Sequence, residues 1–183
     1  MAEKQNGGLI KDVDFLVYGL DNFRKFKNGG LQKIREKLNL GSISREHIEW
    51  HAKKYGKYFQ PGLTNFSETL KRKWPALQIG PGILSTIRFV YNENEVPPDP
   101  VISPFMAKVS IRGRVAEAER VSFMPRIFEI SSTGNRTFKV VTYFWAFYCA
   151  VKEGDEVEVT GNLHQDGNLI TLDNYYSGIK ILN

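Results

Sequence analysis

Cysteine is nearly absent: Cys149 is alone in 183 residues, which excludes an internal disulfide framework and a cysteine-based zinc site. Its neighbours Phe147, Tyr148, Ala150 and Val151 mark it as a small core residue rather than a nucleophile. No uncharged apolar run reaches the ~20 residues that span a bilayer; the longest, Val140 to Val151, reads as a buried strand. Met1 to Gly8 has no apolar segment of the secretory kind, so an intracellular protein, cytoplasmic or else of the nucleoid or nucleus, with no membrane partner is expected.

Catalytic signatures are equally scarce. The sequence contains no Gly-rich phosphate loop, no Ser-His-Asp set and no paired carboxylates in an apolar setting. His47 and His51 stand four apart on a predicted helix, a spacing found in metal sites. The residues between them, Ile48-Glu49-Trp50, do not place a general-base glutamate as such sites require, and the third histidine, His164, is distant. No enzyme activity, metal or cofactor is expected.

Charge is present but divided unevenly. Residues 1–80 hold 15 Lys or Arg against 8 Asp or Glu, a balance of +7, whereas residues 81–183 hold 10 against 12, a balance of −2. The basic half favours any polyanion without specifying which.

Between the halves lies Asn92-Glu-Asn-Glu-Val-Pro-Pro-Asp-Pro100. Proline fixes φ, lacks a donor and disfavours helix in the residue before it, so an extended linker is predicted over 92–105. A basic helical domain would occupy 1–91 and a β domain 106–183, an α+β chain.

In the first domain, Phe15, Leu16, Leu20, Phe23 and Phe26 recur near a 3.6-residue period and end at Asn28-Gly29-Gly30. Leu31, Ile34 and Leu38 form a second stripe. Ser44 to Gly56 has a serine cap, early acids, late lysines and a terminal glycine, in the order that offsets the helix dipole. A further helix is predicted from Thr64 or Asn65 to Trp74, and a strand over Ile83 to Val90. This order matches a winged helix-turn-helix, with Lys71, Arg72 and Lys73 closing a recognition helix on phosphates; a helical cap that packs on the barrel or docks a subunit fits as well.

Beyond the linker the period becomes two. Val109, Ile111, Gly113 and Val115 alternate with polar residues, as do Phe138, Val140, Thr142 and Phe144, and Val157, Val159, Gly161 and Leu163. Arg126 to Ser131 and Leu169 to Tyr176 complete five strands, with turns at Ser132-Thr-Gly-Asn135 and Gln165-Asp-Gly-Asn168.

Val109-Ser-Ile-Arg-Gly-Arg-Val115, the Thr133-Gly134 turn and Gly154-Asp-Glu-Val-Glu-Val-Thr-Gly-Asn-Leu163 resemble the OB-fold nucleic-acid-binding domains. The likeness is to the group that includes replication protein A-like single-strand-binding and tRNA-anticodon-binding domains, over residues 106–182. Ala146 to Lys152 departs from it, being too short for the helix usual between the third and fourth strands; another element, such as the N-terminal domain, must then close that end of the barrel.

In a barrel of this type the outer face of the second and third strands offers a shallow groove where bases stack on aromatics while Arg and Lys follow phosphates. If Phe138, Val140 and Phe144 face inward, then Lys139, Tyr143 and Trp145 face outward. With Arg112, Arg114 and Arg126 near the first hairpin and His164 in the loop before the fifth strand, they form the candidate nucleic-acid site. The competing reading packs these aromatics under the N-terminal domain and pairs the arginines with Glu117, Glu119 and Glu129. The resemblance implies single-stranded nucleic acid as ligand, DNA over RNA, with subunits of a replication or repair complex as further partners. The alternative is a protein-interaction scaffold of a nucleic-acid-processing complex.

Overall fold

The computed structural model describes residues 12–41, 44–55, 72, 75–80, 83–98, 103–173 and 177–182. Two compact units divide the chain: residues 1–48 with 74–97, and residues 49–73 with 98–183. Lys71, Lys73, Tyr175, Tyr176 and the Thr64–Trp74 helix, Arg72 excepted, lie outside the described residues.

The first unit is a three-stranded sheet with short helices. Strand β1, Asp12–Tyr18, pairs in parallel with β3, Ile83–Val90, which pairs antiparallel with β2, Ala76–Gly80. After β1 the chain turns at Gly19 into α1, Leu20–Lys25, a π turn over Phe26–Gly30 and α2, Leu31–Leu38. Asn39 closes α2 in the left-handed region, its N–H bonding back to the last turn. Helix α3, Arg45–Tyr55, straddles the division between units.

The strand over Asp12–Tyr18 corrects the helix predicted through Phe15 and Leu16: the helical period begins only at Leu20. Phe23 is buried and meets Phe89 edge-on at 4.9 Å, with Phe26 at 6.1 Å from the same ring, so α1 covers the face of β3 that carries Ile87 and Phe89.

The second unit is a closed five-stranded mixed barrel. Its strands are β4 (Phe105–Glu117), β5 (Arg126–Ser132), β6 (Thr137–Thr142), β7 (Glu156–His164) and β8 (Leu169–Thr171), with β9 (Gly178–Ile181) paired antiparallel to the first half of β7. The order β4-β5-β6-β8-β7 returns to β4, with β6 and β8 parallel and the other barrel pairs antiparallel. The fifth strand is shorter than the predicted Leu169–Tyr176, and β9 has no counterpart among the predicted strands.

Phe128, Ile130, Val140, Val157, Val159 and Ile170 fill the interior. Gly113 and Gly161 are required by approach distance: a Cβ at either would lie 2.6 Å from a carbonyl oxygen of the adjoining strand, Ser131 or Thr171.

No long helix joins β6 to β7. A single 3-10 turn, Trp145–Phe147, leads into Phe147, Tyr148, Cys149, Ala150 and Val151, all buried, and Cys149 Sγ lies 3.2 Å from Ser122 Oγ of the β4–β5 connection. Both connections come from the barrel's own unit. Among the described residues no helix is long and apolar enough to cross a membrane, which says nothing of strands.

Candidate nucleic-acid interface

Register defines the outer surface of the barrel. Ile127 opposes Val141 and Glu129 opposes Lys139 across β5–β6; Lys139 opposes Leu169 and Val141 opposes Thr171 across β6–β8. Strict alternation predicts that all of these are exposed. Lys139 is, but Ile127, Val141 and Leu169 form a buried apolar cluster. The centre of the expected groove is therefore covered, and what remains open lies toward its ends.

One exposed apolar part is the end where the chain leaves β6. Thr142 Oγ1 donates to the Leu172 carbonyl (2.7 Å) and accepts from the Phe144 N–H (3.0 Å), which pins the exit. Fully buried Phe147 anchors the turn that follows, and the Phe144 ring lies 6.0 Å from Phe147 and 6.3 Å from Trp145. Tyr143 is left 53% and Trp145 40% exposed. Trp145 thus projects from an anchored turn rather than from a strand. The Arg126–Thr142 pairing brings exposed Met124 to the same end; sequence reasoning overlooked it, since only its placement beside β6 gives it a role.

The other candidate residues are dispersed. Arg112 lies on the flank of β4 toward β7, where its Nε donates to Glu158 Oε2 at 3.0 Å. Ser110 Oγ donates to Glu158 Oε1 at 2.9 Å, and these bonds, the serine's first, hold the Glu158 carboxyl below the usual range. Exposed Arg114 opposes Glu156 in the same ladder. Arg112 therefore engages Glu158, and Arg114 stands opposite Glu156. Glu117 is held above the usual range by burial first and then by the neighbouring charges of Glu129, Glu119 and Glu153, against a hydrogen bond from the Glu119 N–H.

Arg126 and His164 correct the expectation of surface contacts, because both are buried. The Arg126 guanidinium sits 5.5 Å from the Tyr148 ring centroid, with Nη1 3.1 Å from Met124 Sδ. His164 Nδ1 donates to the Ser103 carbonyl at 2.6 Å, and its Nε2 lies 3.0 Å from Thr171 Oγ1, which donates to Asp173. It fastens the entry of β4 to β8. Arg72 is held at 2.6 Å by Asp155, a carboxylate that also accepts the Lys152 N–H.

At the opposite end of β6, exposed Arg136 places its guanidinium 4.8 Å from the Phe138 ring centroid and donates to Asn168 Oδ1 and the Gly167 carbonyl, joining the two turns there. Its place beside the Ser132–Asn135 turn is the signal in the sequence that could have found it. Among the described residues no group of three or more His, Cys, Asp or Glu is placed to hold a metal ion.

The strand order and the parallel β6–β8 pair are consistent with an OB-like barrel. No protein-family model matches the chain, and no curated protein sequence does. Two solved structures are similar to it in part. A crystal structure of the ZRD-deleted mutant of TiaS in complex with agmatine is 23% identical over 45% of this chain and 23% of its own, at a TM-score of 0.30. The crystal structure of the tetrameric p202 HIN2 is 11% identical over 59% of this chain and 62% of its own, at a TM-score of 0.33. The chain spans less than two thirds of either. At such TM-scores these likenesses carry no weight for function.

Proposed function

We propose that this chain binds single-stranded nucleic acid, DNA in preference to RNA, at the β6 exit of its OB-like barrel, as a non-catalytic accessory of replication or repair. The observation that carries the proposal is the pair of exposed aromatics, Tyr143 and Trp145, held on a pinned turn next to the third strand of the barrel. Aromatic faces in that place stack on unpaired bases, and Lys139 supplies a cation on the same strand. The preference for DNA follows the likeness of the β4 and β7 sequences to replication protein A-like domains, and RNA of the same sequence is the comparison that tests it.

A second reading is favoured by one observation, the burial of Ile127, Val141 and Leu169 on the surface where a long groove would run. A barrel so covered serves as a scaffold that holds protein partners. Tryptophan emission separates the two. Titration with a short oligodeoxynucleotide should quench the protein, and Trp145→Phe, which leaves Trp50 and Trp74 in place, should abolish most of the quench. No quench in either protein sinks the binding site and leaves the scaffold.

A further inference from the structure

Strand β1 closes one edge of the three-stranded sheet, and among the described residues no strand pairs with its outer side. Edge strands are commonly protected by brevity, proline, charged side chains, lysine above all, or a bulge, and the charges of β1, Asp12 and Asp14, are confined to its first three residues. Asp12-Val-Asp-Phe-Leu-Val-Tyr18 has seven residues, no proline and no lysine, and its pairing with β3 runs without a register shift. Phe15, Leu16 and Tyr18 are 50%, 54% and 54% exposed. The core face of the sheet, carrying buried Ile87 and Phe89 on β3, runs out to the edge at half-exposed Phe15.

We infer that this edge is a dimerisation surface, and that its partner is β1 of a second copy, paired antiparallel about a twofold axis through Phe15. The register follows from the residues. A continuous sheet keeps the core faces on one side, so paired positions must sum to an even number. Of the even sums, 30 alone pairs all seven residues: Phe15 meets Phe15 and Val13 meets Val17 on the core face, Asp14 meets Leu16 and Asp12 meets Tyr18 on the other. A sum of 28 would set Asp14 against Asp14, and 26 would set Asp12 against Asp14, both like-charge pairs that oppose association. A sum of 32 leaves Asp12 and Val13 unpaired. The full overlap is thus also one with no like-charge pair, and Asp14 keeps its own counterion, Arg88 at 3.5 Å. The product is a six-stranded sheet in which each Phe15 covers the other, an isologous contact of the kind that closes on itself.

The register makes opposite forecasts for two charges at one exposed position. In sedimentation or light-scattering measurements on the full chain, the unmodified protein should give a dimer. Leu16→Asp, which faces Asp14 of the second copy twice, should weaken dimerisation by at least about tenfold. Leu16→Lys, which faces the same aspartate with the opposite charge, should retain it. A monomer at all concentrations overturns the inference, as does equal weakening in both variants, the mark of unspecific apolar association. Phe15→Cys gives a check that needs no charge variant to fold: under oxidation it should form a covalent dimer, whereas Val13→Cys and Val17→Cys should cross-link only when mixed. Cross-linking of Val13→Cys alone excludes this register.

Discussion

Residue types mean different things according to what surrounds them, and the barrel's aromatics and arginines illustrate this. Tyr143 and Trp145 are open to solvent, whereas Arg126 is packed over Tyr148. Replacing Tyr143 or Trp145 with alanine should therefore reduce affinity for a short single strand by ~1 to 3 kcal/mol each, with little change in melting temperature. A large fall in melting temperature with affinity intact would make them packing residues. Glu117 gives a second forecast. Because burial raises its pKa in the folded chain, its favourable contribution is present below the unfolded pKa and is lost as pH rises through the folded value. Glu117→Gln keeps an acceptor for the Glu119 N–H while removing the charge. It should raise the melting temperature at pH 7, with the gain shrinking as pH falls toward about 4. An equal shift at both pH values would assign the effect to something other than that carboxylate.

Elements were legible where one period governs one piece of chain. The alternations around Gly113 and Gly161 locate β4 and β7, and the Leu31–Leu38 stripe is α2. The period failed at Phe15 and Leu16 because a strand and a helix lie end to end there: the apolar residues of β1 and α1 fall by chance near a single 3.6-residue series. The partner that makes β1 a strand is β3, some 70 residues later, and no local pattern encodes it. For the candidate site, alternation anticipated exposed Lys139 but also implied an exposed Val141, which is buried with Ile127 and Leu169. Trp145 is exposed as expected but for a different reason, since β6 ends at Thr142. The burial of Arg126 and His164 depends on Tyr148, Ser103 and Thr171, neighbours that only folding brings together. Gly161→Ala tests the barrel wall, since its Cβ would meet Thr171 O at 2.6 Å and Leu172 Cδ2 at 2.7 Å. Denaturant titration should show a destabilisation of about 1 to 3 kcal/mol, and an unchanged midpoint would mean that the wall yields.

For the whole molecule, charge and topology set the behaviour. Residues 1–80 carry the +7 balance, with Lys25, Lys27, Lys33 and Lys37 exposed on the helical segments of the first unit. If that field engages phosphates, log affinity should fall linearly with log salt, and changing these four lysines to glutamine should flatten the slope by about 0.7 for each phosphate no longer neutralised. An unaltered slope would confine phosphate binding to the barrel. Arg72 belongs to a different experiment: engaged by Asp155, its removal should register in stability before affinity.

The seam between β4 and β7 bears on how the barrel comes into being. Its partners lie 59 residues apart at one end (105 and 164) and 42 at the other (114 and 156), whereas the β5–β6 hairpin begins with partners six apart (131 and 137). Closing so long a span restricts the chain before many interactions repay it, so the seam should zip late and set the folding rate. Until it does, β4 and β7 are both unsatisfied edges, open to another nascent chain. Chevron measurements on core truncations should then give φ-values near 1 for Phe128 and Val140 in the hairpin, and near 0 for Ile111 and Val159 across the seam. The reverse pattern would make barrel closure the nucleus. On the expected order, slower synthesis or cooler growth should favour soluble protein, because the vulnerable interval is the search of one strand for another across half a hundred residues.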